Sequence, residues 1–268
     1  MVLTTGQIVQ YMEKIAPLHF EEDYDNSGLL IGREDKPVRK LMLAVDASEK
    51  VISQAISFQA DLLLVHHPLI FHPLKNASEK DPVGRRVLEM AEARIGLYAA
   101  HTNLDSVPGG NIDHAAQMLG LQKVRAVGED GEVACLRIGS LPKPLSLEDL
   151  GILIMKKWDL PYVRLAESSG SENRLHTSIA LITGSGMDFA DLAVKNGATV
   201  LVTGDISYHR ADDAGRQGLS LIEASHFLTD RLSTIWLKED LERMAAEAGC
   251  ELIVQIAEER DVFRLVTR

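Results

Sequence analysis

The chain has 268 residues and a mass of 29.4 kDa, enough for one large domain or two modest ones. Its 28 basic and 39 acidic residues give a formal net charge of −11, which argues against non-specific nucleic-acid binding. Only Cys135 and Cys250 are present, so a disulfide scaffold is excluded and a cytoplasmic protein is expected. The N-terminus shows no signal-peptide pattern, and the apolar runs are far shorter than the ~20 residues that cross a bilayer.

The first half of the chain alternates short apolar strands with amphipathic helices. A first helix is predicted after Thr4-Thr5, followed by an irregular acidic stretch to Asn26. Buried strands are predicted at 40–45, 61–65 and 95–100, and helices at 48–60, 81–94 and 111–119. Apolar strands separated by helices indicate a parallel sheet that is covered on both faces.

The second half resumes this alternation after a less regular region. Strands are predicted at 132–140, 162–166, 179–183, 200–203, 219–223 and 252–256, and helices at 146–158, 188–196, 207–216 and 225–248. The predicted fold class is therefore α/β, with two α/β domains and mainly parallel sheets. The first domain is expected to comprise residues 1–126 plus 236–268 and the second residues 127–235. Periodicity alone does not say which half receives the final strand.

Potential metal ligands follow three of the predicted strands: first His66 and His67, then His101 and Asp105, then His226 and Asp230. In open parallel sheets, ligands bind beyond the carboxyl ends of the strands, so these side chains are expected along one edge. Neighbouring residues within a strand point to opposite faces, but Pro68 ends the strand and lets the two adjacent rings converge. His226 and Asp230 are four residues apart, which places both on one helix face.

Five of these residues form the predicted metal site: His66, His67, Asp105, His226 and Asp230. Three imidazoles and two carboxylates suit zinc, iron, manganese, nickel or cobalt better than calcium or magnesium. Five protein ligands are generous for one open site and reasonable for two divalent ions. Taken singly, each histidine is more often a hydrogen-bonded loop residue than a ligand, so the prediction rests on their combination.

Four motifs carry a resemblance to a known family: DNSGLLIG at 25–32, HHPLIF at 66–71, HTNLD at 101–105 and TGDISYH at 203–209. Together they resemble the NIF-three-like family, whose bacterial members are often named GTP cyclohydrolase 1 type 2 homologues. The resemblance implies two α/β domains with a dinuclear metal centre between them at strand carboxyl ends. It also implies a toroidal homohexamer, a trimer of dimers, with the metal sites facing an internal cavity.

The family's ligands carry over to both histidines of HHPLIF, the aspartate of HTNLD and His226. The family closes its site with a GHxxTE-like motif, which here reads Ser225-His226-Phe227-Leu228-Thr229-Asp230. Asp230 therefore stands where the family has glutamate. Its side chain keeps the charge and loses reach, which leaves open whether it bridges two metals. Tyr24 stands where the family usually has tryptophan.

Two further histidines are candidate catalytic residues. His101 either binds metal directly or orients a ligand, and the orienting role is favoured. His209 is a candidate general acid or base, and the alternative is a helix-capping or surface histidine. Asp25 and Asn26 either line the cavity or form a turn, and the Gly184-Ser185-Gly186 segment could hold an anion at a helix N-terminus. The remaining histidines are expected to be ordinary loop or surface residues: His19, His72, His114 and His176.

The predicted site favours a metal-dependent hydrolase that acts on a nucleotide or another phosphoester. The resemblance points to GTP, with hydrolytic opening of the purine ring. Two alternatives stay open: a metal-binding or metal-delivery protein without catalysis, and a ring-shaped scaffold for protein interactions. No membrane partner is expected, and the net charge disfavours nucleic acid.

Overall fold

The computed structural model describes residues 1–128, 134–170 and 173–266. The chain forms two compact units, Met1–Val107 with Ser233–Arg268, and Pro108–Leu232. Within the described residues, no helix is both long and apolar enough to cross a membrane.

The first unit begins with these elements: β1 (Leu3–Thr4), α1 (Thr5–Ile15), β2 (Gly28–Ile31), β3 (Pro37–Val38), β4 (Lys40–Ala44), α2 (Glu49–Phe58), β5 (Leu62–Val65), α3 (Pro82–Glu92), β6 (Gly96–Ala99) and α4 (Thr102–Ser106). The second unit continues with α5 (Asn111–Leu119), β7 (Gln122–Val127), β8 (Leu136–Leu145), α6 (Leu147–Trp158), β9 (Arg164–Ala166), β10 (His176–Leu181), α7 (Ala190–Lys195), β11 (Val200–Thr203), α8 (Tyr208–Arg216), β12 (Ser220–Glu223) and α9 (His226–Asp230). The chain returns to the first unit through α10 (Leu232–Glu247) and β13 (Ile253–Ile256).

The central sheet of the first unit has the strand order β13-β4-β5-β6-β2. Its first four strands are parallel, and β2 pairs antiparallel to β6 at the edge. Alternate strand residues face opposite sides, so Leu41 and Leu43 pack with α1 and α10, whereas Met42 and Ala44 pack with α2 and α3. The predicted parallel sheet with both faces covered is therefore confirmed for this unit.

The second unit is built on a mixed sheet of order β7-β8-β10-β11-β12-β9. Only β10, β11 and β12 are parallel to one another, and the other three strands pair antiparallel. Helix α7 joins β10 to β11 and α8 joins β11 to β12, whereas β7 and β8 are close in sequence and can pair directly. The expectation of mainly parallel sheets thus holds for the first unit and not for the second.

Several predicted elements differ from the observed ones. The predicted helix at 225–248 is two helices, α9 and α10, separated at Arg231. The predicted strand at 132–140 is β8, which begins at Leu136, and residues 132 and 133 lie outside the described residues. Helix α5 packs into the core of the second unit, although the predicted domain limits assign it to the first domain. The observed elements that the sequence did not predict are β1, β2, β3, β7 and α4.

Candidate metal site

Three histidines of the first unit come together at the carboxyl ends of β5 and β6. The backbone N–H groups of His66 and His67 donate to the carbonyls of Ala44 and Val45, at 3.1 and 2.9 Å, so the residues just after β5 remain bonded to the end of β4. Their ring centroids lie 5.0 Å apart, and the His101 ring lies 5.2 and 5.3 Å from them. One nitrogen from each of the three rings lies within 4.8 Å of the other two. This spacing is suitable for a shared cation.

Each of these rings is held through Nδ1 by an oxygen atom that accepts a hydrogen bond. Nδ1 of His66 lies 2.9 Å from the carbonyl oxygen of Ala100, Nδ1 of His67 lies 3.0 Å from Asp46 Oδ1, and Nδ1 of His101 lies 2.8 Å from Asp25 Oδ1. A carbonyl or carboxylate can only accept, so the proton is assigned to Nδ1 in each ring. Nε2 is then the nitrogen that can bind a metal.

The predicted carboxylate ligand Asp105 joins this cluster. It lies on α4, and its Oδ2 atom is 3.4 Å from Nε2 of His66. The His66 side chain is almost fully buried and that of Asp105 is mostly buried. Nε2 of His66 and the Asp105 carboxylate thus face each other at a distance that suits a shared cation.

The sequence leaves two roles open for Asp25, lining the cavity or forming a turn. In the structure, Asp25 orients the His101 ring. Its side chain is fully buried, and it accepts hydrogen bonds from His101 Nδ1 and from the amide and hydroxyl of Thr102. Burial by itself opposes ionisation, but the bonds from His101, Thr102 and the Asn26 amide outweigh it and lower the pKa of Asp25 well below its usual range. Asp25 therefore stays ionised and fixes the His101 ring.

The second unit contributes the predicted pair on α9. Nε2 of His226 lies 3.1 Å from Asp230 Oδ2, and Nδ1 lies 2.6 Å from Asp205 Oδ2, just past the end of β11. Burial lowers the pKa of His226, but the hydrogen bonds and charges of Asp230 and then Asp205 overcome it and raise the pKa to about 9. Because the two neighbouring carboxylates stabilise the protonated ring, they favour positive charge at this position.

Two glycines let the strand ends close around this pair. A Cβ atom on Gly184 would lie 3.3 Å from Asp230 Oδ1 and 3.4 Å from His226 Nε2. Gly184 has φ of +61°, and its amide donates to Thr229 Oγ1 at 3.0 Å. A Cβ atom on Gly204 would lie 2.5 Å from both the Gly184 carbonyl oxygen and the His226 Cα. The Gly184-Ser185-Gly186 segment thus packs against His226 and Asp230.

The other candidate histidines have different surroundings. His209 is exposed on α8, with its ring 5.3 Å from that of Tyr208. The sequence predicts His176 as an ordinary loop or surface residue, but it is 2% exposed in β10 and its Nδ1 lies 3.0 Å from Thr199 Oγ1. The expectation fails for His176 because β10 is an interior strand of its sheet.

The first cluster has three imidazoles and one carboxylate, and the pair on α9 has one of each. Both donor sets therefore fit a borderline divalent metal. The sequence profile of the Duf34/NIF3 (NGG1p interacting factor 3) family matches residues 3–261. The chain belongs to this family. The resemblance inferred from the four motifs is therefore confirmed.

Known relatives cover nearly the whole chain. A Clostridium perfringens protein named GTP cyclohydrolase 1 type 2 homolog is 34% identical over 264 residues, 97% of this chain and 99% of the relative. A Clostridium acetobutylicum protein of the same name is 29% identical and covers 96% and 97%. The crystal structure of a Staphylococcus aureus hypothetical protein, 25% identical, matches with a TM-score of 0.88 over 99% of this chain and 100% of that one.

Proposed function

We propose that the chain is a metal-dependent hydrolase that binds two divalent ions and acts on a nucleotide or another phosphoester. The observation that carries the proposal is the common orientation of four imidazoles, those of His66, His67, His101 and His226. An oxygen atom lies within hydrogen-bond distance of Nδ1 of each ring, so Nε2 is the nitrogen that would bind a metal, which at His226 would replace the proton shared with Asp230. Metal-binding histidines are characteristically oriented in this way by carboxylates and carbonyls.

The proposed ligands are the five predicted from the sequence, with one addition: His66, His67, His101, Asp105, His226 and Asp230. Zinc, iron, manganese and nickel are the proposed metals, because their preferences match this donor set. Addition of His101 is supported by its Nδ1 bond to a buried aspartate and by its ring distances to the two adjacent histidines.

A bound divalent ion supplies Lewis-acid chemistry that lowers the pKa of water and polarises a phosphoester. The residues of the chain supply the positioning, since Asp25, Asp46 and Asp205 each fix one imidazole. We propose His209 as the general acid or base because it is an exposed imidazole in the TGDISYH motif, four residues after Asp205. The names of the curated relatives support a nucleotide as the substrate class.

The decisive experiment is elemental analysis of untagged protein purified without chelator. We expect about two ions per chain, and we expect the His67→Ala variant to lose most of its metal while keeping its circular dichroism spectrum. His19→Ala is the matched control, because His19 is an exposed histidine that belongs to neither cluster. Wild-type metal content in His67→Ala would show the ligand assignment to be wrong.

The hydrolase part of the proposal has its own test. Metal-loaded protein should release product from nucleotides or simple phosphoesters, and protein stripped of metal should not. Stoichiometric metal without turnover on any of these substrates would contradict a hydrolase and match the metal-delivery alternative.

We also propose that the chain assembles as a homohexamer, which rests on the family resemblance. Light scattering should then give about six times the chain mass of 29.4 kDa. A monomer across the working concentration range would overturn this part.

A further inference from the structure

Two exposed aromatic rings lie beside His101 of the candidate metal site. Four Tyr, Phe or Trp side chains are exposed in the described part of the chain: Tyr24, Phe71, Tyr208 and Phe263. Tyr24 and Phe71 are 64% and 37% exposed, and their ring centroids lie 6.3 Å apart at an interplanar angle of 49°. A large ring that stays in water contributes little to folding, so this pair invites a functional explanation.

The pair adjoins the His101 side of the first cluster. The Phe71 ring lies 6.5 Å from the His101 ring at 72°. Tyr24 directly precedes Asp25, the residue that fixes His101. The side chain of Asn26 donates to the Ile70 carbonyl, which ties the segment that carries Tyr24 to the segment that carries Phe71. The two rings are thus held together by the same residues that organise the site.

We infer that Tyr24 and Phe71 form a stacking subsite for the planar ring of the substrate, and that this ring is a nucleobase. The inference rests on the proposed function, because it selects between the two substrate classes named there. Aromatic faces bind a base through stacking and tolerate any base, since every base has a π face. They offer a ring-free phosphoester no comparable contact. The subsite therefore favours a nucleotide.

The test compares binding of two kinds of ligand to metal-loaded protein by calorimetry. The probes are the four nucleoside 5′-monophosphates, which carry a base, and ribose 5-phosphate, which does not. We expect at least one nucleotide to bind more tightly than ribose 5-phosphate. Replacing both rings, in Tyr24→Leu with Phe71→Leu, should weaken that nucleotide by roughly 5- to 150-fold, the range of base–aromatic stacking, and leave ribose 5-phosphate unchanged.

Two further variants separate stacking from a general disturbance. Tyr24→Trp keeps an aromatic face and should retain nucleotide binding, with quenching of the new tryptophan fluorescence. Phe263→Leu removes an exposed ring, 75% exposed, from the C-terminal segment and should change nothing. Metal content is measured for every variant. If Phe71→Leu lowers it, the single Tyr24→Leu variant carries the test.

Equal binding of nucleotides and ribose 5-phosphate to the wild type would overturn the inference, as would wild-type nucleotide binding in the double variant. Neither result touches the metal content or the turnover of ring-free phosphoesters, which test the proposed function. The two proposals can therefore fail separately.

Discussion

Ser225 combines a favourable helix cap with an unfavourable backbone conformation. It precedes His226 with φ of +59° and ψ of 131°, a region that favours glycine, and its side chain accepts a hydrogen bond from the Leu228 amide. Strain of this kind costs about 1–3 kcal/mol, whereas replacing a serine cap by glycine costs only a few tenths. Ser225→Gly should therefore raise the free energy of unfolding by about 1 kcal/mol or more in urea titrations of metal-free protein.

The matched variants isolate the two effects. Ser225→Ala keeps the strained φ and loses the cap, so it should destabilise by about 1 kcal/mol. Ser146 caps α6 with an ordinary φ of −64°, and Ser146→Gly should therefore give no gain. A Ser225→Gly variant that is less stable than the wild type would contradict the strain argument.

At the residue scale, the sequence predicts the potential metal ligands better than it predicts the residues that orient them. His66, His67 and His226 are visible because they follow predicted strands and carry ligand chemistry. The orienting carboxylates Asp46 and Asp205 have no spacing relation to the histidines that they hold, since strand pairing brings them together. The available signal is that each of the two also follows a buried strand, at the same end as the histidine it orients.

At the scale of elements, Gly204 directly follows β11 and lets the end of this strand pack closely against Gly184 and His226. A methyl group there would lie 2.5 Å from the Gly184 carbonyl oxygen and the His226 Cα, and neither backbone atom can turn aside. Gly204→Ala should therefore displace His226, lower metal content and destabilise the protein by about 1–3 kcal/mol. Elemental analysis and urea unfolding measure the two effects.

Gly215→Ala is the control for this substitution. It lies in α8, and the added methyl group would meet its nearest neighbours outside the helix at 3.6 Å or more, an ordinary contact. Alanine is also the better helix former, so this variant should be neutral or more stable. If Gly204→Ala behaves in the same way, the packing argument at β11 fails.

Element types were predictable where one pattern dominated. The buried strands β4, β5 and β6 are short apolar runs, and the sequence predicts them correctly. The spacing of apolar residues does not reveal the boundary between α9 and α10, because Arg231 at the junction keeps helical dihedral angles, φ of −58° and ψ of −22°. The sequence does not predict β2 because its apolar run is short. Glycines with positive φ also stand at its first position, Gly28, and directly after its end, Gly32.

For the molecule as a whole, the unit limits depend on which core a segment joins. Helix α5 has an apolar face that would suit either core, and only the tertiary packing of residues such as Ile112 and Leu119 assigns it to the second unit. The return of α10 and β13 to the first unit is likewise a matter of strand pairing, since β13 pairs with β4 across more than half of the chain.

The response of overall stability to pH should reflect histidines that folding keeps neutral. Burial lowers the pKa of His176, helped by the charge of Arg174, and burial also lowers the pKa of His114 against the opposing charge of Asp113. At these two residues the unfolded chain binds more protons than the native one, so their contribution to stability is complete above about pH 6.5 and falls as the pH drops below that value, whereas His226, with its raised pKa, contributes in the opposite direction. His176→Asn keeps an amide that can donate to Thr199 and removes the titrating ring, so its free energy of unfolding should fall less between pH 7 and pH 5.5.

His19→Asn, at an exposed position, should follow the wild type. Parallel pH profiles for His176→Asn and the wild type would mean that the buried imidazole does not control this loss.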